Sequence, residues 1–140
     1  MILLCDEDVG TGVPNALRLV GFEALSLVGL GWGGRPDTEW LTRAGQNGWL
    51  VFSHNKKMLL VPSEKDTIIR EHVGIVYLTT GEENPANVLK LLLNRWPALE
   101  ALDATVQRPF VRFLRPDGHI TERYNYRGTW LSLELGVSSI

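Results

Sequence analysis

The chain has 140 residues, the size of one domain around one core, and its 44% hydrophobic and 21% charged content reads as globular rather than disordered. A net charge of −2 gives no overall pull on nucleic acid, and no apolar run approaches the length of a membrane span. A single cysteine, Cys5, excludes an intrachain disulfide and fits a reducing compartment.

Residues 2–5 read as a short buried strand, with Cys5 as a small hydrophobe inside it. The chain reaches acid by residue 6, which does not read as a signal peptide. Pro14 suits the first turn of a helix, Ala16, Leu17 and Val20 give it an apolar face, and Gly21 ends it. Residues 22–30 read as a second strand. The glycine-rich loop at 29–34 lacks the spacing of a nucleotide cradle, though its glycines would let a ligand approach closely, and it leaves Trp32 exposed. A helix is predicted over Asp37–Asn47, closed by Gly48, and a third buried strand over 49–53. Residues 63–66 resemble a capping box, opening a helix to about residue 71, and 73–78 form a fourth, continuous apolar strand. Asn84 and Pro85 mark the start of a helix that runs to Trp96, where Pro97 interrupts it. Phe110–Leu114 and residues 119–124 flank a turn sequence at 115–118 and form a hairpin.

Strands alternating with helices predict an α/β fold with a mainly parallel sheet covered on both faces. Ligands of such sheets gather at the carboxyl ends of the strands. Asp6, Glu7 and Asp8 follow the first strand, Asp37 follows the loop beyond the second, and Ser53, His54 and Asn55 follow the third. All therefore converge on one edge. Crowded carboxylates that stay ionised need a compensating cation, and hard oxygen ligands suit Mg²⁺ or Mn²⁺. Such ions activate water and stabilise the oxygens of a phosphodiester displacement. Asp6, first after a buried strand, reads as the ligand. Glu7 reads equally as a solvent-facing acid, Asp8 as a helix cap, and Glu39 as a second acid of the site or a carboxylate favouring the helix dipole. His54 reads as a phosphate or solvent contact. Charge is also unevenly spread: residues 1–55 hold three basic and six acidic side chains, whereas 108–127 hold five arginines against Asp117 and Glu122. That pairing fits a cation pocket beside a phosphate surface, or a solvated hairpin.

Asp6-Glu7-Asp8 resembles the Asp-Glu-Asn opening of PIN-like domains. The stretch from Pro36 through Asp37, Thr38, Glu39 and Trp40 to Leu41 resembles the second motif of VapC-type PIN-like toxins, and Gly48 through Met58 resembles the third. Pro62, Glu64, the fourth strand and the run from Arg108 to Gly118 fit the same pattern. The resemblance implies a PIN-like three-layer α/β/α domain over residues 1–124 with a C-terminal β-hairpin, and a tail over 125–140, loose or partner-dependent from residue 128. It further implies a cytoplasmic, metal-dependent endoribonuclease, the toxin of a bacterial toxin–antitoxin pair, with a protein antitoxin as partner and room for a homodimer. On this reading Asp6 and Asp37 hold Mg²⁺ or Mn²⁺, Ser53 orders the loop, and Glu7, Asp8 and Glu39 support the site. Asn55 stands where the family's third motif has aspartate. An amide still offers an oxygen but removes one negative charge, so the site is weaker or single-metal, or has lost activity. Lys56, Lys57, Arg112 and Arg115 would hold the RNA backbone. Phe110, Phe113, Tyr124 and Tyr126 interleave with the hairpin arginines as stacking platforms for single-stranded RNA, the phenylalanines reading more readily as core.

Three rivals remain at this level. Asp6-x-Asp8 with Thr11 approaches the opening of haloacid-dehalogenase-like phosphatases, but no convincing later lysine and paired aspartate follow. A receiver domain needs an acid where Asn55 stands. A PIN-like module that binds RNA or an antitoxin without cutting is the reading that Asn55 itself suggests.

Overall fold

The computed structural model describes residues 1–80 and 84–131. Its strands are β1 (Leu3–Cys5), β2 (Ala24–Ser26), β3 (Leu50–Ser53), β4 (Gly74–Leu78), β5 (Phe110–Leu114) and β6 (Ile120–Tyr124). Its helices are α1 (Gly12–Leu19), α2 (Asp37–Asn47), α3 (Pro62–Arg70) and α4 (Pro85–Thr105), with short 3-10 turns at Glu7–Val9 and Lys56–Leu60. The strands form one sheet in the order β2-β1-β3-β4-β5-β6, parallel from β2 to β5 and antiparallel only between β5 and β6.

Register explains why the strands read as continuous apolar runs. Leu4 pairs with Leu25 and Val51, Val51 with Ile75, and Ile75 with Val111, which places one apolar row across the sheet. That face packs against Trp40, Leu41 and Ala44 of α2 and Ile68 of α3. The opposite face, with Leu3, Leu50 and Phe110, packs against Val13 and Leu17 of α1 and Val88, Leu92, Trp96, Leu99 and Leu102 of α4. A sheet covered on both faces has no polar side to alternate with. Gly74 lies against Phe110, where a Cβ would come within 2.7 Å of the ring.

Three elements differ from their sequence-based expectation. The second strand ends at Ser26 because its hydroxyl accepts from the Gly29 N–H at 2.9 Å and its carbonyl from Leu30 at 3.1 Å, turning the chain away from the edge. Helix α3 begins at Pro62, so Ser63 lies inside it and caps nothing; proline fits the first helical position because its missing N–H has no partner there. Helix α4 continues through Pro97 to Thr105. Pro97 sits on the exposed side, while Trp96, Leu99 and Leu102 carry the buried stripe past it and Trp96 packs on Phe22 at 4.7 Å. Burial of that stripe outweighs a helix-interior proline cost of about 3 kcal/mol.

Of the expected tail, residues 125–131 turn back on the sheet: Leu131 donates to the Arg123 carbonyl, and Trp130 packs on Tyr124 at 4.5 Å. Residues 132–140, like the Gly-Glu-Glu stretch at 81–83, lie outside the described residues. Among the described residues no helix is long and apolar enough to cross a membrane.

Candidate active site

Parallel strands β1, β3 and β4 end on the same edge, and the acids gather there. Asp6 follows β1 directly and is 6% exposed. Its carboxylate accepts from the Glu7 N–H at 2.6 Å, which caps the first 3-10 turn, and from the Ser53 hydroxyl at 2.8 Å. Ser53, fully buried at the end of β3, in turn accepts from the Asn55 N–H at 2.9 Å. One serine hydroxyl therefore ties the loop after β3 to the acid after β1. Asp8 is exposed and faces the His54 N–H at 3.4 Å.

Asp37 occupies the first position of α2 and accepts from the Trp40 indole N–H at 2.8 Å. Glu64, in the first turn of α3, stands within side-chain hydrogen-bonding reach of Asp37. The charges oppose one another. Burial, then Asp8, push the Asp6 carboxyl up to about 7 against the pull of Ser53 and the Glu7 N–H. Burial, then the bond to Asp37 and its charge, push Glu64 up to about 7. Asp8 is raised as well: the residue as a whole is exposed, but its carboxyl lies against the edge and is partly desolvated there, which outweighs the pull of His54. Tyr77 of β4 lies beneath the group. Its buried phenol is driven well above its ordinary value, first by burial and then by Asp6, Glu64, Asp37 and Asp8. One side chain thus senses four carboxylates delivered by the ends of β1, the first 3-10 turn, α2 and α3.

The other sequence-selected residues occupy distinct places. Glu7 turns to the glycine-rich loop, where it accepts from the Gly34 N–H, so this loop closes on Glu7. Glu39 faces Arg35 at 2.5 Å and Arg43 at 3.6 Å. The Asn55 carboxamide makes no capping bond to the 3-10 turn that follows it. Lys56 and Lys57 are exposed, and Lys56 Nζ lies 3.5 Å from the Thr79 carbonyl beyond β4. Arg112 lies in mid-strand, half-buried, 3.5 Å from Glu122, whereas Arg115 follows the end of β5 at the turn. Phe110 and Phe113 are core. Trp32 is half-buried, stacked on Trp49 at 5.8 Å with Arg43 over its ring, and is not the exposed residue its loop implied. Glu64 is the acid that the sequence reading quoted for its pattern without placing it in the site. The available signal was a glutamate two residues after a proline that opens a helix.

A doubly covered, mainly parallel sheet with carboxylates gathered at its carboxyl edge defines an α/β protein with an acidic site at its strand ends. The family model of the PIN like domain matches residues 1–80, more than half of the chain, and the chain belongs to that family. PIN-like domains are commonly nucleases. No curated protein and no solved structure matches the chain.

Proposed function

We propose that this chain is a metal-dependent endoribonuclease of the VapC toxin type, acting in the cytoplasm and restrained by a protein antitoxin. The observation that carries the reading is the convergence of Asp6, Asp8, Asp37 and Glu64 on one edge of a PIN-like chain, with two of their carboxyls raised to about 7. Among the described residues no three acids, histidines or cysteines close into a ready-made cage. That donor set fits Mg²⁺ or Mn²⁺, which bind through one or two carboxylates and keep several waters. Asp6 and Asp37 are the assigned ligands, with Asp8 and Glu64 adding negative charge around them. When bound, the cation would activate water and stabilise the oxygens of the phosphodiester in displacement. The chain's own part is to fix Asp6 through Ser53 and the Glu7 N–H, and Asp37 through the Trp40 indole. Lys56 and Lys57 stand exposed beside that edge to receive the backbone.

The test incubates purified protein with Mg²⁺ or Mn²⁺ and a panel of RNAs, beside Asp6→Asn and Asp37→Asn. Cleavage by the unaltered chain and its loss in both variants is expected. No cleavage at any metal concentration removes the enzyme reading. RNA binding without cleavage instead selects the non-cutting module, which Asn55 favours because it brings an uncharged amide to the third-motif position. For the toxin role, induction should arrest growth and co-expression of the neighbouring reading frame should restore it.

A further inference from the structure

A second polar concavity lies on the other side of the sheet. It is a groove of about 820 Å³ between α4 and the β5–β6 turn, and Lys90, Asn94, Arg95 and His119 are among its lining residues. The Arg95 Nε is buried and has no hydrogen-bond partner among the described residues. Its stem is held by the turn: a Cβ on Gly118, which has φ +94, would stand 3.4 Å from the Arg95 Cδ. The one acid in the lining, Asp117, is engaged by His119, whose Nδ1 lies 3.1 Å from it and whose N–H donates to it at 3.0 Å. Two cationic side chains, Lys90 exposed and Arg95 with its stem against the turn, therefore line a space of nucleotide size.

The turn at 115–118 follows the carboxyl end of β5, the same edge that carries the acids after β1 and β3. Only β4 separates β3 from β5, a distance of about 10 Å at the usual strand spacing. Lys56 covers the first half of that interval, reaching from the loop after β3 to Thr79 beyond β4. Acids, Lys56 and groove lie in sequence across the sheet edge.

We propose that this groove is a phosphate-binding track that holds single-stranded RNA as it leaves the carboxylate edge. The substrate class rests on the nuclease reading above. Lys90 and Arg95 bind consecutive phosphates, and Asn94 supplies uncharged donors that do not select a base. The track adds affinity without sequence preference and rewards RNA long enough to span both places.

The test measures binding of oligouridine of about 4 and about 12 nucleotides in metal-free buffer, lengths that bracket a single-strand site. The unaltered chain should gain affinity with length. Lys90→Gln/Arg95→Gln should lose that gain. Each lost phosphate contact lowers the slope of log affinity against log salt by about 0.7, so the two chains' affinities should converge about sevenfold between about 50 and 200 mM salt. Lys90→Glu, a change at an exposed position, serves if the double variant melts early, and Arg70→Gln is the control for charge away from the groove. Equal affinity and slope in the groove variant, an equal loss in Arg70→Gln, a preference for polyglutamate over RNA, or no RNA binding at all overturns the proposal. Cleavage with Mg²⁺ is scored apart. Cleavage with groove-independent binding sinks the track and keeps the nuclease; groove-dependent binding with no cleavage does the reverse.

Discussion

The surroundings of Asp6 oppose its charge strongly, and this sets a pH dependence that one substitution exposes. An unfolded aspartate ionises near pH 3.9, about three units below the folded Asp6 at about 7. Between those values the folded chain keeps a proton that the unfolded chain has released, so stability falls as pH rises through the window. Below it both states are protonated and the site costs nothing; above it both are ionised and the cost is complete. A rise from 3.8 to about 7, at about 1.4 kcal/mol per pH unit, amounts to about 4 kcal/mol. Asp6→Asn removes the charge and keeps the shape. The new amide oxygen still accepts from Glu7, but its NH₂ group meets the Ser53 hydroxyl, which then loses its acceptor at a cost of about 1–2 kcal/mol. The metal-free variant should therefore be about 2–3 kcal/mol more stable than the parent at pH 8 and about 1–2 kcal/mol less stable at pH 4. Urea unfolding in chelator at the two pH values measures this directly. Mg²⁺ should stabilise the parent at pH 8 and leave the variant nearly unchanged. A variant destabilised equally at both pH values would refute the charge argument.

Ser53→Ala removes the donor to Asp6 and the acceptor of the Asn55 N–H, and should cost about 1–3 kcal/mol at pH 8 and less at pH 4, measured by the same unfolding curves. Gly45→Ala would place a Cβ 2.2 Å from the Glu71 carbonyl oxygen where α2 meets α3. The backbone must move, so a loss of about 1–3 kcal/mol is expected despite the better helix propensity of alanine, and an unchanged thermal midpoint would count against that close approach. Asn55→Asp should tighten Mn²⁺ binding in calorimetry, and unchanged or weaker binding would place Asn55 outside the metal site.

Helix α2 was legible from sequence because each signal agreed: apolar Trp40, Leu41 and Ala44 on one face, acids in the first turn, and Gly48 at φ +68 closing the end. The strand-end rule likewise located Asp6, Asp8, Asp37 and Ser53 together, since it depends only on strand order. Where local signals conflicted, packing decided. Leu27 and Leu30 extended the apparent second strand, but they follow a turn that Ser26 makes with its own hydroxyl. Pro97 read as a stop, yet it lies outside the buried stripe it appeared to break. The cap assigned to residues 63–66 set the start of α3 too late and drew attention from Glu64, whose meaning depends on where the helix begins. The i,i+4 spacing of Glu39 with Arg35 and Arg43 was a signal that it would turn to them, whereas nothing in sequence could bring Asp37, two residues earlier, to Glu64.

The uncharged residue at position 55 takes on a different meaning beside Glu64. The edge already holds Asp6 and Glu64 with carboxyls near 7, and Glu64 is raised in part by its contact with Asp37. An aspartate at 55 would add a further charge to a loop whose backbone N–H reaches Asp6 through a single serine. Without a cation it would raise Asp6 again and deepen the instability at neutral pH. With a cation bound, the same charge would become attraction. If the site holds the proposed cation, asparagine moves the balance toward a chain that folds with its site empty and binds metal less tightly, and α3 keeps part of the negative field by presenting Glu64 at the same edge. On the proposed reading, affinity for metal and stability without it are set by the same few carboxylates, in opposite directions.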